Sequence, residues 1–174
     1  MKLHKSIFLL LFLFISRFCF AQKAIEIDEN KTTTPLYEVS FNKSSFDFYN
    51  QSNYGFILFY KLENDDDFLD CLRLSVENLE KYKTMDLMYY ASLVEYVIRE
   101  DFKIIESRKV ENQGKTSYFL LVYEKPLGKK NLKIHHRIYF NNGFGFNFSL
   151  RTVTNKFDKL YSDSEEILNS FQLR

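Results

Sequence analysis

The stretch "LKIHHRIYFNNGFGFNFSL", Leu132 to Leu150, constrains the fold most, because two alternating runs of β-branched and aromatic residues meet at Asn-Asn-Gly. Successive side chains of a strand point to opposite faces, and a glycine-containing break between two such runs predicts a hairpin. Leu132, Ile134, His136, Ile138 and Phe140 then share one face, and Lys133, His135, Arg137 and Tyr139 share the other. The two histidines therefore cannot chelate one metal ion together. His136 reads as a hydrogen-bonded core residue and His135 as a partly exposed one. A two-residue loop, Asn142 and Gly143, would set Phe146 opposite Tyr139 and Phe148 opposite Arg137, dividing the apolar face. A three-residue loop from Asn141 to Gly143 sets Ile138 opposite Phe146 and His136 opposite Phe148. The three-residue loop, with Gly143 at the left-handed position, is the preferred register.

Other segments fall around this hairpin. "LYEVSF", Phe46 to Tyr49, Phe56 to Leu62 and Cys71 to Val76 are short, rich in aromatic and β-branched residues, and separated by polar breaks, so they read as strands. In "CLRLSVENL", Leu72, Leu74 and Val76 alternate with Arg73 and Ser75, which gives a buried face and a wetter one. The period changes at Leu87, Ala91, Val94 and Ile98, widened by Tyr90 and Val97. That spacing predicts an amphipathic helix from about Asp86 to Glu100, capped by Thr84 or Asp86. "FKIIESRKV", the turn "ENQGK" and "TSYFLLVYEKPL" form a second hairpin. Phe157, Leu160, Tyr161, Ser164, Ile167, Leu168 and Phe171 lie on one stripe of a closing helix. Strands, helix, antiparallel strands and helix, with no βαβ repetition, predict an α+β fold built on a meandering antiparallel sheet.

The amino terminus bounds where the protein works. Lys2 and Lys5 precede an unbroken apolar run from Ile7 to Ile15 and a short segment ending at Ala21. That is the layout of a signal peptide, with cleavage expected between Ala21 and Gln22. The run is far shorter than the roughly 20 residues that span a bilayer, and Arg17 interrupts any extension. Cys19 could mark a lipoprotein, but Arg17 and Phe18 stand where small residues are wanted. The expected organisation is a signal peptide over residues 1–21, a flexible polar leader over 22–35 and one domain over 36–174, with no transmembrane segment after the signal is removed. Loss of Lys2, Lys5 and Arg17 lowers the basic residues from 24 to 21 against 23 acidic ones, so no basic excess points to nucleic acid. Cys71 alone survives cleavage, which leaves no internal disulfide.

The order of elements, the strand "CLRLSVENL" leading into a loop and long helix, the hairpin around "ENQGKTSYFLLVYE" and the ending "EEILNSFQL", with its Ser170 and Phe171, together resemble the PsbP-like superfamily. The resemblance covers Leu36 to Arg174. It implies a central antiparallel sheet with helices packed on both faces, an α/β/α sandwich, and a non-enzymatic accessory or binding role.

The chemical motifs are sparse. A Cys71 and His136 dyad is the only nucleophile and base pairing to weigh, since His135 and His136 are the histidines left after cleavage. "GKT" at Gly114 lacks the glycine of a phosphate loop, Lys109 standing in its place, and a strand follows rather than a helix. The acidic run from Glu63 to Asp70 contains Asp65 and Asp67, weak candidates for a hydrated calcium ion, but it lacks the glycine and glutamate positions of an EF-hand. No cofactor is implied. Phe144, Phe146 and Phe148 with Tyr118, Phe119 and Tyr123 read mostly as core, and surplus aromatics would suit a partner surface. The expected function is an exported, non-enzymatic accessory or binding module of the bacterial envelope, periplasmic or extracellular, that engages a protein partner. The alternative is a small-molecule binder or uncharacterised enzyme using a pocket between sheet and helix.

Overall fold

Seven strands form one antiparallel sheet, and a computed structural model of the 174-residue chain describes them within residues 26–28, 31–41, 46–50, 54–60, 70–82, 84–112 and 115–174. These strands are β4 (Phe46–Asn50), β5 (Phe56–Tyr60), β6 (Cys71–Asn78), β7 (Lys103–Val110), β8 (Tyr118–Leu127), β9 (Lys130–Asn141) and β10 (Phe144–Val153). Their order is β4-β5-β6-β10-β9-β8-β7. A second, four-stranded sheet orders β1 (Glu26–Asp28), β2 (Lys31–Thr33), β3 (Tyr37–Ser40) and β11 (Gln172–Leu173). Helix α1 (Leu87–Asp101) packs on one face of the large sheet, and α2 (Phe157–Ser170) packs on the other. This is the α+β arrangement expected, with a helix on each face.

Two corrections concern the central hairpin. Asn142 and Gly143 both have positive φ, 49° and 80°, as a two-residue type I′ turn requires. Phe146 therefore lies opposite Tyr139, and Phe148 opposite Arg137. The three-residue loop is wrong because keeping one apolar face of the hairpin undivided brings no gain: both faces are covered, each by its own core cluster. On the α1 face, Leu132, Ile134 and Ile138 pack with Phe119, Leu121, Tyr123, Tyr90 and Ala91. On the α2 face, Tyr139, Phe146, Phe148 and Leu150 pack with Tyr37, Val39 and the helix stripe Phe157, Leu160, Ile167 and Leu168. His135 is accordingly buried, at 6% exposure, beneath the Tyr161 ring at 4.8 Å, and is not partly exposed.

The stretch 22–35 needs a third correction. Expected as a flexible leader, it carries β1 and β2, and the buried Thr32 lies in register with Val39. The free ladder edge of β3 recruits β2, and β2 in turn recruits β1, through backbone hydrogen bonds that no side-chain period announces. Thr34 then turns the chain, its hydroxyl accepting from the Leu36 and Tyr37 amides at 3.2 and 3.1 Å. The cleavage position at Ala21 and Gln22 lies outside the described residues.

The carboxyl terminus locks the two sheets together. The Ser170 hydroxyl accepts from the Ser40 amide and donates to the Ser40 carbonyl, both at 2.9 Å, tying the end of α2 to β3. Phe171 then inserts among Tyr37, Tyr139, Phe146 and Phe148, with ring centroids 4.5–5.9 Å away.

Arg137 is 2% exposed on the α2 face. One guanidinium nitrogen donates to Asn169 Oδ1 at 2.8 Å, and the group lies 4.8 Å over the Tyr118 ring. Asn169 belongs to the last turn of α2, so the negative end of the helix dipole supplies charge compensation.

Candidate functional site

Helix α1 covers only part of its face. Asp86 caps it, accepting from the Tyr89 amide at 2.8 Å, and its buried side chains, Tyr90 and Ala91, pack with side chains of β8 and β9, the Tyr90 ring also reaching β10. The remaining half belongs to β6 and β10, whose register sets Arg73 opposite Ser149, Ser75 opposite Asn147 and Glu77 opposite Gly145. Those alternate positions are all polar or glycine. Between them and the flank of α1 runs a concave groove of about 750 Å³.

The groove has two unlike walls. Its helix side presents Tyr89, Leu93, Val94 and Val97, continued by Leu79, Tyr82 and Met85 from the segment before the helix. Its sheet side presents Arg73, Ser75, Glu77, Asn147 and Ser149, with His136 and Tyr123 below.

One hydrogen-bond network organises this floor. The Asn147 amide nitrogen donates to Glu77 Oε1 at 2.9 Å and to the Tyr90 hydroxyl at 2.6 Å. A carboxylate can only accept, which orients the amide and turns its oxygen toward His136 Nε2 at 3.0 Å. His136 must then carry its proton on Nε2, leaving Nδ1 facing the Tyr123 hydroxyl at 3.4 Å. Burial pushes the His136 pKa down to about 4, against a smaller opposing effect of its bond to Asn147. Burial also raises the Tyr123 phenol to about 12 and the Tyr90 phenol further still, the latter helped by the Glu77 charge. His136, Tyr123 and Tyr90 are thus neutral near pH 7, and the histidine is a fixed donor rather than a base.

Gly145 makes the network possible. A Cβ there would lie 2.3 Å from Tyr90 Cζ, so the tyrosine ring rests directly on the strand backbone. Phe140, across the ladder from Gly145, flanks the same ring at 5.6 Å.

A Cys71 and His136 dyad does not assemble. β10 lies between the strands of Cys71 and His136, and the register puts Cys71 opposite Arg151 but His136 opposite Ser149. Burial also raises the Cys71 thiol pKa, which disfavours the thiolate. Among the described residues no group of three His, Cys, Asp or Glu side chains converges to hold a metal ion. Asp65 and Asp67 lie outside the described residues.

Asn147, Ser149, Ser75, Glu77 and Tyr90 are absent from the sequence reading of the site. A signal existed: Gly145, Asn147, Ser149 and Arg151 alternate with a phenylalanine run, as Arg73, Ser75 and Glu77 alternate with a leucine run. That β6 and β10 are neighbours is what joins the two polar faces.

No family profile and no curated protein matches this chain. Solved structures do. CyanoP of Synechocystis, a cyanobacterial PsbP, superposes with a TM-score of 0.55 at 14% identity, over 88% of this chain and 98% of its own. LpqN of Mycobacterium tuberculosis gives 0.54 at 10% identity, over 84% and 86%. A protein of Bacteroides thetaiotaomicron gives 0.51 at 11% identity over 85% of this chain. This chain spans about half, 49%, of that Bacteroides protein. The fold is therefore PsbP-like, as the resemblance implied, and at these identities the likeness concerns the fold.

Proposed function

We propose that the chain is an exported, non-enzymatic binding module of the bacterial envelope, a signal peptide over residues 1–21 followed by one PsbP-like domain that includes β1 and β2, and that it engages a protein partner through the α1 flank. One observation carries this reading. Tyr89, Leu93, Tyr96 and Val97 stand on one side of α1 with exposures of 58%, 43%, 69% and 64%, and Tyr82 at 56% extends the surface. A helix that needed only to close its core would carry polar residues there. Clustered exposed tyrosine and aliphatic side chains are characteristic of interface centres. The chain's likeness to LpqN, described as involved in cell envelope biogenesis, agrees with the setting. Among the described residues no helix is long and apolar enough to cross a membrane.

A photo-reactive amino acid placed at position 93 or 96, with a control at the exposed Lys159 of α2, tests the reading in the envelope fraction. The expected outcome is a discrete protein adduct from the α1 positions alone, on a bait that begins at Gln22. Adducts of equal yield from position 159, or a bait that keeps residues 1–21, would count against it.

The groove itself favours a second reading, a small-molecule binder. Its volume of about 750 Å³ falls in the range of ligand pockets, and its polar floor could orient a bound compound. A panel of small ligands screened by thermal shift addresses this directly.

A further inference from the structure

We infer that the groove takes an amphipathic polypeptide segment whose apolar side lies along α1 and whose carboxylates meet Arg73. This rests on the protein-partner reading above and adds the chemistry of the partner.

Charge along the floor is unequal in what remains free. Glu77 is engaged by the Asn147 amide and lies close to the Tyr90 hydroxyl. Arg73 is exposed, and one strand step beyond the lining Arg151 is exposed as well. Neither makes an ion pair among the described residues, and Glu100, near the end of α1, pairs with neither. Arg73 and Arg151 lie on one face of neighbouring strands, since Arg73 is opposite Ser149 and Arg151 is opposite Cys71. A cationic end therefore faces solvent, while the acidic end is already hydrogen-bonded. A partner gains most by bringing carboxylates to the arginines, which also suit bidentate recognition.

The size of the apolar surface selects a polypeptide over a small amphiphile. Tyr89, Leu93 and Val97 line the groove, but Tyr96, seven residues after Tyr89 and so on the same flank, lies outside the lining and is 69% exposed. A compound confined to the groove leaves Tyr96 in water. A peptide with apolar residues along one side covers it, the helix-in-groove mode of recognition.

Selection of a displayed random peptide library on the folded full domain tests the inference, with Arg73→Glu and Leu93→Ser proteins as counter-selections and laurate as the small-molecule probe. Both substitutions are at exposed positions, and circular dichroism checks that they fold. The expected result is enrichment of peptides combining apolar residues with Asp or Glu. Each variant should weaken their binding about tenfold or more, the scale of one central interface side chain. Replacing the acidic residue by Lys should restore binding to Arg73→Glu. Enriched peptides without acidic bias, or insensitive to Arg73→Glu, overturn the charge assignment while the protein-partner reading stands. No enrichment, whether or not laurate binds the native groove, overturns both.

Discussion

Gly145→Ala should destabilise the protein by about 2–3 kcal/mol, through a single contact. Gly145 is not among the described glycines with positive φ, which are Gly128 and Gly143, so alanine fits its backbone and even gains about 0.5–1 kcal/mol as a strand residue. The new methyl, however, meets Tyr90 Cζ at 2.3 Å and the Tyr90 hydroxyl oxygen at 2.5 Å. Tyr90 is 3% exposed and held against Phe140, so its ring cannot swing away without disturbing the α1 core. Overpacking of this kind costs about 1–3 kcal/mol. Displacing the ring also breaks the 2.6 Å bond from Asn147, worth about 1 kcal/mol and more if the amide is left unsatisfied. With a urea m-value of about 1–3 kcal/mol/M, the unfolding midpoint should fall by roughly 1 M. The decisive assay is a double-mutant cycle with Tyr90→Leu, which removes the clashing atoms. Tyr90→Leu alone should destabilise, and Gly145→Ala added to it should cost almost nothing, giving a coupling of about 2 kcal/mol. A Gly145→Ala protein within about 0.5 kcal/mol of the native one, or an additive pair, would refute the reasoning.

Two further outcomes follow from buried polar groups. The His135 and His136 pKa values are lowered to about 3 and about 4, burial being the largest cause in each. Their stabilising contribution is complete above the unfolded value of about 6.5, and it is lost as pH falls toward 4, because the unfolded chain binds protons that the folded one refuses. Urea midpoints should stay level from pH 7.5 to about 6.5 and fall below that toward pH 4, and His136→Gln should lessen the slope; a profile flat down to pH 4 in the native protein contradicts the burial of both rings. Asn169→Leu should cost more than Arg137→Met, since the first strands a buried guanidinium, whose Nε already lacks a partner, while the second replaces it with an apolar side chain of similar length. Equilibrium denaturation of both variants decides the order, and the reverse order would mean that Asn169 does not hold the cation.

The local signals in this chain were strong where one element sufficed to generate them. The helical stripe from Leu87 to Ile98, with Asp86 as its cap, and that from Phe157 to Phe171 are inscribed as periods of three and four. The alternation in "CLRLSVENL" and the hairpin around "ENQGK" were equally legible, because strand side chains must alternate whatever lies above them. The α+β class followed from their order. Three matters were decided only in three dimensions. The turn at Asn142 and Gly143 depended on whether one sheet face or both would be covered, and α2 with β3 covered the second. Strand β2 formed because β3 offered a free ladder edge, and β1 because β2 then offered its own, a backbone property with no side-chain pattern. The groove formed because β6 and β10, far apart in the sequence, became neighbours and merged their polar faces beside a helix too narrow to cover them. Sequence dictates the period of each element, which is local, whereas adjacency of elements is settled by which faces find a partner in the folded chain.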